Sequence, residues 1–249
     1  MTIVRADLHR DVVIVQGDDA GTFLHSQLAQ DINALAVGGS VHSLLLAPTG
    51  HVVALVRVVR HVDTVYTLDV ESGFGQKLID RLQRFVLRSK VSMRTSDWVV
   101  RAFRGAGAAV EVGAVQGRAT VHWGTTDDVD VVAEPSVLPV VGEQVDPSVI
   151  DALRVDAHWP AMGVDIEEGD VPATTGVVHS AVSFSKGCYP GQELVERMDS
   201  RSSSAPVVLR AVPVGEAPDG VVVTSRGNIS MIVRAPRGTD MGQPLAPLG

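Results

Sequence analysis

Hydrophobic and polar positions alternate with two different periods along this chain, which predicts a succession of strands and helices. In the first third of the chain, turn residues separate short apolar runs that are typical of strands: 12–16, 41–46, 52–59 and 65–70. Apolar residues three and four positions apart predict helices at 18–32 and 72–87. The sequence therefore predicts an α+β protein.

The rest of the chain continues both patterns. Further strands are predicted at 91–94, 98–103, 119–123, 129–132, 207–212, 221–224 and 229–233. Prolines and glycines within 135–146 predict a linker, and a helix is expected at 147–157. Another helix is predicted to start at Pro190, because the missing N–H of proline costs nothing at the first helical position. The tail is expected to form a small β-barrel or sandwich.

Composition narrows the class of protein. The mean hydropathy is +0.19, but the apolar run 52–56 ends at Arg57, and no run approaches the roughly 18 residues that a membrane span needs. The first residues lack the apolar stretch of a signal peptide, so a cytoplasmic protein without a membrane association is expected. A net charge of −8 without any Lys/Arg-rich stretch argues against tight direct binding of nucleic acid.

Cys188 is the single cysteine of the chain, which excludes an internal disulfide and any cluster held by this chain's thiolates alone. The eight histidines show no metal-ligand spacing, and we predict no metal site. Lys186 and the predicted helix start two residues after Cys188 would both favour a thiolate. The flanking Gly187 and Gly191 suggest a close approach of the backbone to a ligand. The alternative is that Cys188 is a small buried hydrophobe.

The segment 186–193 reads Lys-Gly-Cys-Tyr-Pro-Gly-Gln-Glu and, with Arg197 after it, resembles the signature of the YgfZ/GcvT family. The segment 23–31 is similar to an early helix of that family. The segments 153–157 and 163–166 match further positions in the same order. The resemblance therefore extends over most of the chain.

The resemblance implies the fold of the glycine-cleavage T-protein, whose domains surround a central folate channel. On that fold, residues 1–40 and 134–204 would form a discontinuous folate-binding domain. Residues 41–133 would form an inserted α+β domain, and residues 205–249 a short C-terminal β-barrel-like domain. The implied cofactor is tetrahydrofolate or a derivative, bound non-covalently.

The implied function is that of an accessory protein which supports the assembly or repair of iron–sulfur enzymes, including enzymes that modify tRNA. Its partners would be such enzymes or their assembly proteins, and a monomer is expected. Cys188 would be its functional thiol. Asp156 takes the place of a carboxylate that hydrogen-bonds the pterin ring, and Tyr189 would stack on a flat ring. The structural alternatives are a helix-terminal charge for Asp156 and core packing for Tyr189.

Four more residues complete the predicted site. Gln192 and Glu193 would line the folate channel, or would only cap a helix. Arg154 and Arg197 would bind the glutamate tail of folate, although a surface salt bridge explains either arginine equally well.

The related aminomethyltransferase has a carboxylate pair within the pattern Gly-x-x-Asp-Asp-Leu, and Val53 and Ala54 stand there in this chain. Aminomethyl transfer is therefore disfavoured, because the reacting bond of folate loses its proton-transfer partner. One alternative function is a folate-dependent one-carbon transferase with a changed acid, which would be Asp31 or Asp156.

Another alternative is a thiol enzyme. Cys188 would then act with a histidine as its base, and His179 and His158 are the candidates.

Overall fold

A computed structural model gives the structure of the protein and describes residues 2–200, 205–217 and 219–245. In chain order, the strands β1 to β14 are Val4–Leu8, Arg10–Gln16, Ser40–Leu46, Val52–Val62, Val65–Glu71, Ser92–Ser96, Val99–Arg104, Arg118–Thr120, Val129–Ala133, Glu143–Gln144, Val207–Pro213, Val222–Arg226, Ser230–Pro236 and Gln243–Pro244. The helices α1 to α6 are Ala20–Gln27, Gly75–Gln83, Ala108–Val112, Pro147–Asp156, Val178–Ala181 and Gln192–Ser200. Short 3-10 turns cover Pro135–Val137 and Pro172–Thr174.

Two five-stranded sheets form the body of the protein. The first sheet has the strand order β10-β1-β7-β9-β8, and the second has the order β3-β4-β5-β2-β6. The predicted antiparallel arrangement of β3, β4 and β5 is confirmed by their pairing. Only His9 separates β1 from β2, and the two strands enter different sheets. The chain therefore joins the two sheets at this residue.

The sheets cross the predicted domain boundary between residues 40 and 41. β2 pairs with β5, with Val13 opposite Leu68, and β1 pairs with β7, with Val4 opposite Arg104. The predicted insertion 41–133 thus shares both of its sheets with the first strands of the chain, because backbone hydrogen bonds run across the boundary. The C-terminal strands instead form their own sheet, in the order β12-β13-β11-β14. Residues 201–204, next to the predicted boundary between residues 204 and 205, lie outside the described residues.

Several predicted elements differ in their bounds from the structure, and the helix predicted at 18–32 is the shorter α1. The helix predicted at 72–87 is the shorter α2. The helix predicted to start at Pro190 begins at Gln192, because Gly191 has a φ of +85°, which no helical residue adopts. β1 was not predicted from the sequence, since Arg5 and Asp7 interrupt its short apolar pattern.

Local signals at both ends fix helix α4. Asp146 caps its start by accepting a hydrogen bond from the N–H of Ser148 at 2.9 Å, with Pro147 in the first turn. At its end the N–H of His158 donates to Val155 and the N–H of Trp159 donates to Arg154, which is a Schellman motif. His158 takes the left-handed position of that motif, with a φ of +61°. This reversal directs the chain back toward the two sheets at Trp159.

The largest hydrophobic cluster packs helices α1 and α2 against the second sheet. Leu24, Leu28, Leu68, Leu78 and Leu82 are fully buried in it. Burial of each leucine contributes about 2 kcal/mol to the free energy of unfolding. Within the described part of the chain, no helix combines the length and the apolarity needed to cross a membrane.

Candidate ligand-binding site

A cavity of about 440 Å³ lies between the first and second sheets, beside helix α4. Exposed residues form its rim, and they include His9, Asp146, Ser148, Asp151 and Val164. Buried residues form its inner end, and they are His42, Leu55, Arg57, Arg104, Asp130, Ile150, Arg154, Trp159 and Ala161. The cavity therefore has an open side at the start of α4 and a closed, polar inner end.

Five charged residues form what we call the central charge network, which joins the two sheets at the inner end of the cavity. Asp69 accepts hydrogen bonds from Arg10 Nε at 2.6 Å and from Arg57 Nε at 2.9 Å. Asp130 accepts them from Arg57 Nη1 at 2.6 Å and from Arg104 Nη1 at 2.7 Å. Arg57 thus bridges a carboxylate of each sheet, which sets the spacing of the two cavity walls.

Asp130 and Arg57 are ionised at neutral pH. Burial alone would raise the pKa of Asp130, but the guanidinium groups of Arg104 and Arg57 outweigh it and hold that pKa below its ordinary value. Burial would lower the pKa of Arg57, and the carboxylates of Asp69 and Asp130 raise it instead. Each buried charge therefore depends on its partners to remain charged.

Several polar atoms of the residues that line the cavity have no hydrogen-bond partner among the described residues. Arg104 is 3% exposed and its Nη1 is engaged, but its Nε and Nη2 are unpaired. Nδ1 of His42 is also unpaired, and so is Oε2 of Glu71. The other oxygen of Glu71, Oε1, accepts a hydrogen bond from Arg10 at 2.8 Å. Buried polar atoms are nearly always paired, so these unpaired atoms carry a desolvation cost that no described partner offsets.

Aromatic rings form part of the cavity wall. The ring centroid of His42 lies 4.6 Å from that of Trp159 and 4.9 Å from that of His122. The guanidinium of Arg104 lies 4.8 Å from the ring centroid of Trp123. Burial, with His122 and the nearby arginines, lowers the pKa of His42 well below its ordinary value, so this imidazole is neutral. The wall can therefore pack against a flat, uncharged ring.

Arg154 is the predicted site residue that lines this cavity, and its guanidinium is already engaged. It donates to Asp151 at 2.8 Å, to Asp165 at 3.0 Å and to Ser225 at 3.3 Å, and also to the carbonyl of Trp159. Burial would lower the pKa of Arg154, and the carboxylates of Asp165 and Asp151 raise it. In this structure Arg154 ties α4 to the C-terminal sheet.

Asp156 was predicted to contact the pterin, and its carboxylate instead accepts hydrogen bonds from the turn between β12 and β13. The donors are the N–H groups of Ile229 at 2.9 Å, Ser230 at 3.0 Å and Asn228 at 3.1 Å, together with the side-chain amide of Asn228 at 3.0 Å. Burial would raise the pKa of Asp156, but these hydrogen bonds together lower it. Asp156 therefore anchors the C-terminal sheet to α4.

Residues 186–193, which we call the signature segment, lie outside the cavity lining. Cys188 is exposed, whereas Tyr189 is 7% exposed and belongs to the main hydrophobic cluster. Burial raises the pKa of Tyr189 to about 12. The ammonium of Lys186 donates to the backbone carbonyls of Leu28 at 2.6 Å and Gln30 at 3.3 Å, where helix α1 ends. Burial, opposed by the charge of Asp31, lowers the pKa of Lys186 to about 8.

Gly191 is needed for packing. A Cβ at this position would lie 2.7 Å from the carbonyl oxygen of Ala47 and 2.8 Å from Cα of Gly50, in the turn between β3 and β4. A Cβ at Gly187 would meet nothing within 4 Å. At Gly191 the backbone therefore approaches another part of the chain closely, whereas Gly187 borders open space among the described residues.

Three of the remaining predicted residues lie on α6, and His158 lies just after the end of α4. Gln192 Nε2 donates to Glu196 at 2.6 Å on the helix surface, while Glu193 and Arg197 are exposed on the same helix. His158 Nε2 lies 3.2 Å from Ser230 Oγ.

His179 packs against Phe184, with 6.1 Å between the ring centroids. It lines a second cavity of about 340 Å³ beside α6, and Cys188 does not line that cavity. Among the described residues, no group of three or more His, Cys, Asp or Glu side chains is arranged to hold a metal ion.

The residues of the central charge network were not predicted as functional. They are separated by 12 or more residues in the sequence, and each lies in a strand whose apolar pattern dominates. One signal was present, since Arg57 interrupts a long apolar run. A single arginine in a buried strand requires a buried carboxylate, but the sequence does not tell which one.

Comparisons with known proteins support the fold. No family model matches the sequence. An uncharacterized protein of Haemophilus influenzae is 25% identical over 197 residues, which cover 78% of this chain and 67% of that protein. The crystal structure of glycine cleavage system aminomethyltransferase T from Bartonella henselae is similar with a TM-score of 0.75 and 16% identity, over 94% of this chain and 78% of that one. The chain therefore has the multi-domain α+β fold of the glycine-cleavage T-protein, as predicted.

Proposed function

We propose that this protein binds a reduced folate in the cavity between its two sheets. The observation that carries the proposal is the cavity of about 440 Å³, which lies within the range of small-molecule sites. It occurs in a fold shared with an aminomethyltransferase. A folate supplies a carrier for one-carbon groups when it is bound.

The residues at the inner end fit a pteridine ring. Such a ring is flat and presents hydrogen-bond donors and acceptors around its edge. Trp159 and His42 contribute aromatic rings to the cavity lining, and Arg104 and Glu71 contribute a guanidinium and a carboxylate.

The rim gives the glutamate tail of a folate little support. Asp146 and Asp151 are exposed there, and the N–H groups of Arg154 already donate hydrogen bonds to protein partners. We therefore expect the tail to extend into solvent, with most of the binding energy in the ring. This differs from the prediction that Arg154 holds the tail.

Titration of the purified protein with tetrahydrofolate under anaerobic conditions tests the proposal. Trp123 and Trp159 line the cavity, so we expect saturable quenching of tryptophan fluorescence and a matching calorimetric isotherm with one folate per chain. Trp159→Phe should lose part of the quenching. Trp98→Phe is the control, because Trp98 packs on His61 outside the cavity lining. If the wild type shows no saturable quenching and no heat of binding, folate binding is disproved.

We further propose that binding is not followed by aminomethyl transfer. Val53 and Ala54 stand where the transferase pattern has two acids, and Ala54 is buried among apolar side chains. The other candidate acids, Asp31 and Asp156, are not among the residues that line the cavity. Turnover of an aminomethyl or methylene folate by the purified protein would contradict this proposal.

The accessory role toward iron–sulfur enzymes, including enzymes that modify tRNA, is also a proposal. It rests on the resemblance of the signature segment, and the exposure of Cys188 is compatible with it. An exposed thiol at the surface can meet a partner protein, whereas a buried one cannot. The partner would be an iron–sulfur enzyme or an assembly protein.

A further inference from the structure

The charged side chains that line the cavity differ in their exposure to solvent. Among the described residues of the lining, the exposed acids are Asp146 and Asp151, and no lysine or arginine is exposed. Hydrogen bonds from Ser148 lower the pKa of Asp146, so its carboxylate is charged at neutral pH. The side chain of Asp151 is 58% exposed. The open side of the cavity therefore presents negative charge.

The arginines of the lining do not offset that charge for a ligand. In Arg10 and Arg57, all three side-chain nitrogens already donate hydrogen bonds to protein groups. The same is true of Arg154. The two nitrogens of Arg104 that donate to no described group are buried. A carboxylate on the outer part of a ligand therefore meets no accessible, unpaired cation among the described lining residues.

The start of helix α4 lies at the same open side, and a helix start ordinarily favours an anion. Here the N–H of Ser148 already donates to the carboxylate of Asp146, and Pro147 has no N–H to offer. The anion at this helix start is therefore a side chain of the protein itself.

We propose that this site takes a folate with a single glutamate and discriminates against folates with a polyglutamate tail. The inference rests on the proposed folate function and adds the class of folate. With the ring at the inner end, the tail leaves the cavity past Asp146 and Asp151. Each further glutamate, joined through the γ-carboxyl group, adds one negative charge outside the cavity. Like charges repel there over the screening length of the solution.

Anaerobic calorimetric titration of the full chain with the monoglutamate and the triglutamate of tetrahydrofolate tests the inference. The two ligands share the same ring and differ by two negative charges. At an ionic strength of about 0.01 M the screening length is about 30 Å, and we expect the monoglutamate to bind at least about threefold more tightly. At about 1 M the screening length is about 3 Å, and the affinities should agree within about 1.5-fold. The titrations are run at pH 8, at which a water-exposed histidine carries little positive charge.

The double variant Asp146→Asn with Asp151→Asn removes both exposed charges. Asparagine is as good a helix cap as aspartate, and its side-chain oxygen can still accept a hydrogen bond from Arg154. We expect this variant to bind the two ligands within about 1.5-fold of each other at low ionic strength.

The double variant Asp18→Asn with Asp63→Asn is the matched control, because it changes the net charge equally. Both aspartates are exposed and ion-paired. They follow Gln16 and precede Val65, at the end of β2 and β5 that is opposite to the pair of Arg10 and Glu71 in the cavity lining. We expect this control to keep the wild-type preference, and circular dichroism to show that both double variants are folded.

Equal affinities at low ionic strength, or tighter binding of the triglutamate, would overturn the inference. A preference that persists in the folded Asp146 and Asp151 variant would overturn it as well, and so would an equal loss of preference in the control. If the first variant does not fold, the wild type decides, since a preference that is the same at about 0.01 M and about 1 M would not be electrostatic. Absence of binding by both ligands would instead overturn the folate function itself.

Discussion

The central charge network and the signature segment differ in how their polar groups are used. In the network, Arg57 and Asp130 are buried and form an ion pair across the two sheets. Arg104, a third member, pairs with Asp130 and has two N–H groups without a hydrogen-bond partner among the described residues. In the signature segment, Lys186 is bonded to backbone carbonyls and Cys188 is exposed at the surface. The first region therefore holds its charged groups in the interior beside a cavity, whereas the second presents its thiol at the surface.

This difference shows that a recognisable run of residues and a binding cavity need not coincide. A consecutive motif is visible in a sequence because its residues are neighbours in the chain. The central charge network is assembled from residues on five strands, so only the fold brings it together. Three substitutions sharpen the comparison between the two regions.

Asp130→Asn should have the largest effect, because it removes one charge from the centre of the network. Arg57 and Arg104 would then be buried with one carboxylate fewer, and breaking a buried pair costs about 3–5 kcal/mol. Urea denaturation followed by circular dichroism measures the change. The control is Asp63→Asn, since Asp63 is 84% exposed in its pair with Arg60 and should change stability by less than about 1 kcal/mol.

The pH dependence of the same variant gives a second reading. The pKa of Asp130 is held below its ordinary value of 3.8 in the folded protein, so its stabilisation is fully present above the unfolded pKa. That stabilisation is lost as the pH falls through the lower, folded pKa. The difference in stability between the wild type and Asp130→Asn should therefore shrink as the pH falls below about 4. A difference that grows toward acid would contradict the assigned charges.

Gly191→Ala should have an intermediate effect. Its Cβ would meet backbone atoms of Ala47 and Gly50 at less than 3 Å, at a φ of +85° that alanine rarely adopts. We expect a loss of about 2 kcal/mol in the free energy of unfolding. Gly187→Ala is the control within the same segment and should stay within about 1 kcal/mol of the wild type. Equal effects at both positions would mean that Gly191 does not act through packing.

Cys188→Ala should have the smallest effect on stability. The thiol is exposed, so we expect a change within about 0.5 kcal/mol. If the thiol serves iron–sulfur enzymes, the same variant should fail to restore the activity of such an enzyme in cells that lack the wild-type protein. Full restoration by Cys188→Ala would remove the cysteine from the proposed function.

Much of the fold could be predicted, because burial leaves a period in the sequence. The strands at Val52–Val62 and Val65–Glu71 carry continuous apolar runs, and Pro147 marks the start of α4. β1 was not predicted because the charged residues Arg5 and Asp7 alternate with its apolar residues. It takes its place only through pairing with strands that lie far along the chain, and such pairing leaves no local pattern.

The candidate site was less predictable for a related reason. Arg154 was singled out, and it does line the cavity, but its partners Asp165 and Ser225 lie on other elements and could not be read from the sequence. Asp156 likewise carries a charge suited to a ligand, and only the structure shows the turn 228–230 that occupies its carboxylate. A side chain's identity is visible in the sequence, but its existing partners are not.

The first sheet places β1 between two strands that come much later in the chain, and this affects the order in which the protein folds. Val4 pairs with Arg104 and with Glu143, so β1 has no strand partner until synthesis has reached β7, about 100 residues further along the chain. Such distant pairings slow folding and leave a strand edge exposed in the meantime. The first sheet is therefore expected to close late, and the cavity between the sheets to exist only after that closure.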